Sequence, residues 1–105
     1  MTHAEIRAAV DKIQAEWRPR LGLEGWDIRI LYDETKLLGS ARAVPSYGQA
    51  ILGFNLKRMK RELPNYRLLE ELVLHELVHC LAWRESERVV SQLTRGLLRA
   101  KYQDA

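Results

Sequence analysis

Cysteine and long apolar runs are scarce in this chain, and each scarcity excludes a class of protein. Cys80 is the one cysteine among 105 residues, so no internal disulfide can form and a reducing compartment is expected. No run of 18 or more apolar residues occurs, which argues against a membrane-spanning helix. The N-terminal stretch MTHAEIRAAVDKIQAEW is charged throughout and has no hydrophobic signal region. We therefore expect a cytoplasmic protein with no membrane partner.

The composition predicts one small globular domain covering residues 1–105. Apolar residues make up 47% and charged residues 30% of the chain, a normal balance for such a domain. A core of this size leaves a modest stability margin, to which a bound metal would add. The net charge of +3 gives only weak support to nucleic-acid contact, because arginine is common on solvated helix faces.

Helix signals open the chain and fill its second half. Thr2 and Glu5 form a capping box, which predicts a helix from about Thr2 to Trp17 that stops before Pro19. A short helix capped by Asn55 follows later in the chain. A longer helix over about residues 65–83 and a last helix with Ser86 as N-cap complete the prediction.

Three short segments between the first two helices have the pattern of strands. They are WDIRILY, LGSARAV and GQAILGFN, in which apolar residues alternate or cluster as in half-buried strands. Pro45 and Gly48 supply a hairpin turn between the second and third strands, and Gly53 indicates a bulge or a close backbone approach. The element order predicts an α+β fold with a small, mostly antiparallel sheet.

The segment LVLHELVHCLAW carries the clearest chemical signal. His75 and His79 are four residues apart and therefore lie on one helix face, where both imidazoles can bind a single Zn²⁺. Glu76 is rotated by about 100° from His75. It can approach the metal without being a ligand and take a proton from a metal-activated water. H-E-x-x-H on a helix is the zinc-peptidase signature for these reasons.

The segments GWDIRILY, AILGFNLKRM and LVLHELVH resemble the SprT-like metallopeptidase core and the short zincins of phages and prophages. The resemblance covers roughly residues 22–90, and its specific part is H-E-L-V-H. It implies a minimal zincin fold that cleaves peptide bonds in a protein or peptide substrate. It also implies that the extended substrate pairs with an edge strand above the helix, for which residues 49–55 are our choice.

The third metal ligand has to come from a carboxylate, because no histidine follows His79. Catalytic zinc takes three protein ligands and leaves its fourth position open. Glu85 and Glu87 are the candidates, and we favour Glu87 at the start of the last helix, as in glutamate-type zincins. This choice requires the chain to reverse near residues 84–86, where no glycine or proline marks a turn. A continuous helix would place Glu87 about 12 Å along the axis from His79.

Other residues near the motif receive structural interpretations. Cys80 is predicted to be a buried structural thiol, and the three tryptophans are predicted to lie in the core. Glu70 and Glu71 are predicted on solvated helix surface, with a hydrogen bond from His75 to Glu71 as the alternative. Residues 57–62 are likewise predicted to be solvated. Three tyrosines are candidate donors to an oxyanion, and the sequence does not choose among them: Tyr47, Tyr66 and Tyr102.

The main functional hypothesis is a zinc-dependent peptidase with Glu76 as general base and His75, His79 and Glu87 as ligands. The alternative is a non-catalytic, zinc-stabilised module of a mobile element that binds a peptide or nucleic acid. A toxin or antirestriction role is a third hypothesis. A structural zinc site usually has four protein ligands, and the chain has no cysteine cluster, which favours an open site.

Overall fold

The computed structural model of the chain describes residues 1–103, which form four α-helices and three β-strands. In chain order they are α1 (His3–Arg20), β1 (Asp27–Tyr32), β2 (Gly39–Val44), β3 (Gln49–Phe54), α2 (Leu56–Glu62), α3 (Tyr66–Leu81) and α4 (Glu87–Gln103). A 3₁₀ turn, Pro45–Tyr47, joins β2 to β3. The predicted α+β class is confirmed.

Helix α1 begins where the sequence predicts and ends almost one turn later. The Thr2 hydroxyl accepts from the Glu5 amide at 3.1 Å, and the Glu5 carboxylate accepts from the Thr2 amide at 2.9 Å, so the capping box forms. The predicted end before Pro19 is wrong, because Pro19 lies inside the last turn and the helix continues to Arg20. The chain turns away only at Gly22, whose φ of 71° favours glycine.

The sheet has the order β1-β3-β2 and is mixed. β3 pairs in parallel with β1 and antiparallel with β2, so the prediction of a mostly antiparallel sheet is wrong. After β1 the chain crosses to the far side of the sheet and forms β2. The hairpin then returns β3 into the gap between them, where it runs in the same direction as β1.

The central place of β3 overturns our choice of the substrate-binding edge. Residues 49–54 are hydrogen-bonded on both sides, so their backbone cannot accept a further strand. β2 lies at an edge of the sheet and packs against α3. The edge strand beside the H-E-x-x-H helix is therefore β2.

Gly53 permits a close approach within the sheet, as its sequence context predicted. A Cβ atom at this position would lie 2.7 Å from the Ser40 hydroxyl oxygen, which is closer than non-bonded atoms normally come. Pairing continues through Gly53 on both sides without an extra residue. The close-approach interpretation is confirmed, and the bulge does not form.

One buried cluster lies between the inner face of the sheet and the helices. Each strand turns alternate residues inward, and the apolar stripes of α1 and α3 meet them. The largest fully buried apolar side chains include Ile6, Ile13, Leu52, Phe54, Leu74 and Leu77. Within residues 1–103 no helix has the length and apolar content needed to cross a membrane.

The tryptophans divide between core and surface. Trp17 is buried and Trp26 packs against the edge of the core, as predicted. Trp83 is 51% exposed, so its predicted place in the core is wrong. Helix α3 ends at Leu81, two residues before the predicted end. Trp83 therefore leaves the buried stripe and lies in the turn, with the Arg84 guanidinium 4.5 Å from the centre of its ring.

Candidate metal centre

Helix α3 brings His75 and His79 to one place. Asn65 caps the helix, its side chain accepting from the Leu68 amide at 3.0 Å, and regular helix then continues through both histidines. Their Nε2 atoms lie 3.2 Å apart and their rings meet edge to face at 4.8 Å between centres. The predicted convergence of the two imidazoles is present.

The chain reverses between α3 and α4 without glycine or proline. The Ala82 amide donates to the Val78 carbonyl at 2.8 Å, and the Glu85 amide donates to the Ala82 carbonyl at 2.9 Å, which closes a tight turn. Ser86 then caps α4, its hydroxyl accepting from the Val89 amide at 3.3 Å. The reversal that the choice of Glu87 required is therefore present.

Glu87 opens α4 and reaches both histidines. One carboxylate oxygen lies 2.8 Å from His75 Nε2, and the other lies 2.8 Å from His79 Nε2. The three side chains form a group whose potential ligand atoms all lie within 4.8 Å of one another. Glu85 lies in the preceding turn and is outside this group. The geometry thus brings Glu87, and not Glu85, to the histidines.

The Glu87 side chain is 74% exposed, and within residues 1–103 its carboxylate is held by its contacts with the two histidines. Burial acts to raise its pKa, but the hydrogen bond from His75 and the charges of both histidines outweigh burial and lower that pKa. Glu87 is therefore ionised and supplies the negative charge that a divalent cation between the two histidines requires.

Glu76 lies beside this group in a buried position. Its relative exposure is 5%. Burial, together with the negative charge of Glu87, raises its pKa to about 7. A carboxyl group with this pKa can both accept and release a proton near neutral pH. Gly39 lies directly over Glu76, because a Cβ atom at Gly39 would come within 2.9 Å of Glu76 Oε2.

A cavity of about 370 Å³ opens beside the three-residue group. His75, Glu76 and Glu87 line it, and so do Leu38, just before β2, and Gly39, the first residue of β2. Leucine side chains form most of the remaining wall. An extended chain entering this cavity would pass between the candidate metal group and the edge of the sheet.

The candidate oxyanion donors lie elsewhere in the fold. Tyr47 is exposed in the 3₁₀ turn, Tyr66 lies beneath the Lys12 ammonium, and the Tyr102 hydroxyl donates to Glu70. None of the three lines the cavity that contains His75. The tyrosine prediction therefore finds no support in the geometry.

Cys80 is a buried thiol, as predicted. It lies on α3 with its sulfur 3.6 Å from the Glu76 carbonyl oxygen, to which it donates. Burial, followed by the charge of Glu76, raises its pKa to about 11, so the thiolate that binds metals is disfavoured. Cys80 is outside the candidate ligand group.

Glu70, like Trp83, lies elsewhere than predicted. It is fully buried, and its carboxylate accepts from the side chains of Trp17, Lys101 and Tyr102. Its partners lie 53, 31 and 32 residues away in the sequence, so no local pattern announces the site. Glu71, by contrast, is partly exposed in the cavity wall, and within residues 1–103 no hydrogen bond joins it to His75.

The donor set fits a transition-metal ion. Two imidazole nitrogens and one carboxylate are ligands that zinc takes in catalytic sites, and they also suit other first-row metals. No fourth protein ligand joins the group within residues 1–103, so a bound ion would keep one position for water or substrate. Comparison of the chain with protein-family models, with curated proteins and with solved structures gave no match.

Proposed function

We propose that the protein is a zinc-dependent peptidase. The observation that carries the proposal is the convergence of His75, His79 and Glu87 beside the buried carboxyl of Glu76, next to an open cavity. The ligand residues come from two helices, and the reversal between the helices places them together. Three ligands with an open fourth position are typical of catalytic and not of structural zinc.

The chemistry divides between the ion and the protein. When bound by His75, His79 and Glu87, zinc supplies a Lewis acid that polarises a carbonyl group and lowers the pKa of water. Glu76 accepts a proton from the attacking water and delivers it to the nitrogen of the leaving amine. Its burial keeps competing water away from the carboxyl group, and Gly39 leaves room for that carboxyl against the sheet.

The substrate is proposed to be a peptide in extended form that pairs with β2. Leu38 and Gly39 line the cavity, and β2 pairs with β3 along one side only. Its other side offers backbone N–H and C=O groups to a further strand. Pairing there would hold the peptide backbone beside His75 and Glu76.

Metal analysis of the purified chain tests the first part of the proposal. Protein prepared without chelator is expected to contain one zinc ion per chain, and zinc added to the apo protein is expected to raise the melting temperature. A protein that contains no transition metal and shows no shift with zinc contradicts the proposal.

Glu76→Gln tests the catalytic role. The variant should retain zinc, because Glu76 is outside the ligand group, and should lose about 10²–10⁴-fold in peptide cleavage, as expected for loss of a general base. Loss of zinc would make Glu76 a ligand. Cleavage at the wild-type rate would refute its role in proton transfer.

Glu87→Gln and Glu85→Gln form a matched pair for the third ligand. The Glu87 variant should lose zinc affinity by at least about tenfold, since it removes a ligating oxygen and a negative charge. The Glu85 variant should bind zinc as the wild type does. Titration with a chromophoric chelator measures both affinities, and a loss confined to the Glu85 variant would overturn the assignment.

A further inference from the structure

A second cavity continues from the candidate metal centre along α3. It has a volume of about 280 Å³ and is lined by residues of α3 and α4. Leu68 and Glu71 line both cavities, so the two cavities adjoin, and we refer to them together as the groove. The groove begins at His75 and ends at Arg67 and Arg99.

The near end of the groove is apolar. Leu38, Leu63, Leu68 and Leu72 line the first cavity beside His75, and its volume of about 370 Å³ can hold a large apolar side chain. This part of the wall offers no cationic group. A leucine, methionine or phenylalanine side chain matches it best.

The far end of the groove is basic. Arg67 and Arg99 both line the second cavity, and neither forms an ion pair within residues 1–103. The Arg67 guanidinium lies 3.6 Å from the centre of the Tyr102 ring. The Tyr102 hydroxyl is itself fixed by its bond to Glu70. Stacking of this kind leaves the N–H groups at the edge of the guanidinium free to bind a carboxylate.

The charged side chains along the groove restrict where an acidic side chain of a bound peptide can lie. Glu71 lies between the two ends, in the wall of both cavities, and Glu87 lies at the metal end. The Glu71 carboxylate repels an acidic side chain that lies between the two ends, whereas the charge of Glu87 is offset by the ion that it would bind. Arg67 precedes His75 by eight residues, about 12 Å along the helix axis, which an extended peptide spans with about four residues.

We infer that the groove selects an extended peptide with a large apolar side chain beside the metal centre and a Glu or Asp side chain about four residues away. Arg67 and Arg99 bind that carboxylate. The inference rests on the proposed peptidase function, because it describes the substrate of the same site.

Equilibrium binding of fluorescent peptides to the zinc-loaded Glu76→Gln variant separates recognition from cleavage. The peptides are acetylated and amidated, so that a single Glu side chain is their one carboxylate. Each has one leucine in an alanine and serine background, with Glu or Gln two to six residues away on either side. The Glu peptide with the best spacing should bind about tenfold more tightly than its Gln counterpart, a typical effect for a charge-assisted contact.

Two arginine substitutions test the far end of the groove, and a third is the control. Arg67→Gln and Arg99→Gln, made in the same background, should each remove most of the preference for Glu. Arg95 lies on α4, as Arg99 does, but it is exposed and does not line the groove. Arg95→Gln should therefore leave the preference for Glu intact. Equal binding of Glu and Gln peptides at every spacing overturns the inference. So does an equal loss in all three variants.

Cleavage by the wild-type protein distinguishes this inference from the proposed function. Cleavage with no preference for Glu refutes the proposed selectivity of the groove and leaves the proposed peptidase function standing. Selective binding with no cleavage of any peptide keeps the groove as a peptide site and refutes the peptidase. Absence of both binding and cleavage refutes both.

Discussion

Replacing Glu70 by glutamine removes the charge at the centre of a buried network. The carboxylate is fully buried and accepts from Trp17 Nε1 at 2.8 Å, from the Lys101 ammonium and from the Tyr102 hydroxyl. Glutamine has the same shape, but it offers one acceptor oxygen and points an NH₂ group at other donors. The Tyr102 hydroxyl can accept from that NH₂ group, but the Lys101 ammonium loses the negative charge of its buried partner.

The expected cost follows from the burial of the pair and from the remaining partner of Lys101. Breaking a buried ion pair from one side costs about 3–5 kcal/mol. Lys101 is itself mostly buried and also contacts Glu16, so its charge keeps one partner and the lower end of that range applies. We expect Glu70→Gln to lose about 3 kcal/mol in the free energy of unfolding, or about 12 °C in melting temperature for a chain of this length.

Urea unfolding followed by circular dichroism measures this loss, with Glu71→Gln as the matched control. Glu71 is adjacent on α3 but partly exposed, and its substitution should change stability by less than about 0.5 kcal/mol. A Glu70 variant as stable as wild type, or a control that loses as much, would refute the reasoning.

The pH dependence of the same variant gives a second check. Burial by itself raises the pKa of Glu70, but the bonds from Lys101, Tyr102 and Trp17 outweigh burial and lower that pKa below its ordinary value. The stability that ionised Glu70 contributes is thus complete above its unfolded pKa of about 4.3 and is lost as the pH falls through the lower folded value. The difference in the free energy of unfolding between wild type and Glu70→Gln should therefore become smaller below about pH 4. A difference that does not change with pH would contradict the lowered pKa of Glu70.

Two further predictions concern the surroundings of the candidate centre. Gly39→Ala should lower both the rate of cleavage and the free energy of unfolding, because its Cβ would lie 2.9 Å from both Glu76 Oε2 and Leu72 Cδ1. Gly25→Ala is the control, because no heavy atom lies within 4 Å of the added Cβ. Equal activity of the two variants would contradict the close approach at Gly39. Cys80 should resist alkylation by iodoacetamide at pH 8 until the protein unfolds, because it is buried and its pKa is raised to about 11, and rapid labelling of the folded protein would contradict this.

Local signals predicted the elements of the fold well. The capping box at Thr2, the Asn55 cap and the hairpin turn each depend on residues a few positions apart, and each is present. The H-E-x-x-H spacing likewise determines by helix geometry alone that His75 and His79 share a face. Signals of this kind can be read from the sequence because the residues that form them lie within a few positions of one another.

Features that depend on distant partners were predicted poorly. The strand order depends on which of three similar segments takes the centre of the sheet, and alternation of apolar residues is the same at the centre and at an edge. Glu70 has the sequence context of a surface residue, and its burial depends on Trp17 and Lys101, which are remote in the chain. The position of Glu87 was predicted from Ser86 as the cap of a new helix and from the resemblance to glutamate-type zincins.

Helix α4 connects the buried network to the candidate metal centre. Its first residue, Glu87, contacts both histidines, and its last turns supply Lys101 and Tyr102 to Glu70. Between these ends Val90 and Thr94 are buried, and Leu97 and Leu98 pack partly buried against the core, so apolar packing supplies part of the attachment of the helix. No disulfide can form to hold it, since the chain has one cysteine. The Glu70 network therefore fixes the far end of the helix, while the turn after α3 and the Ser86 cap fix its near end at Glu87.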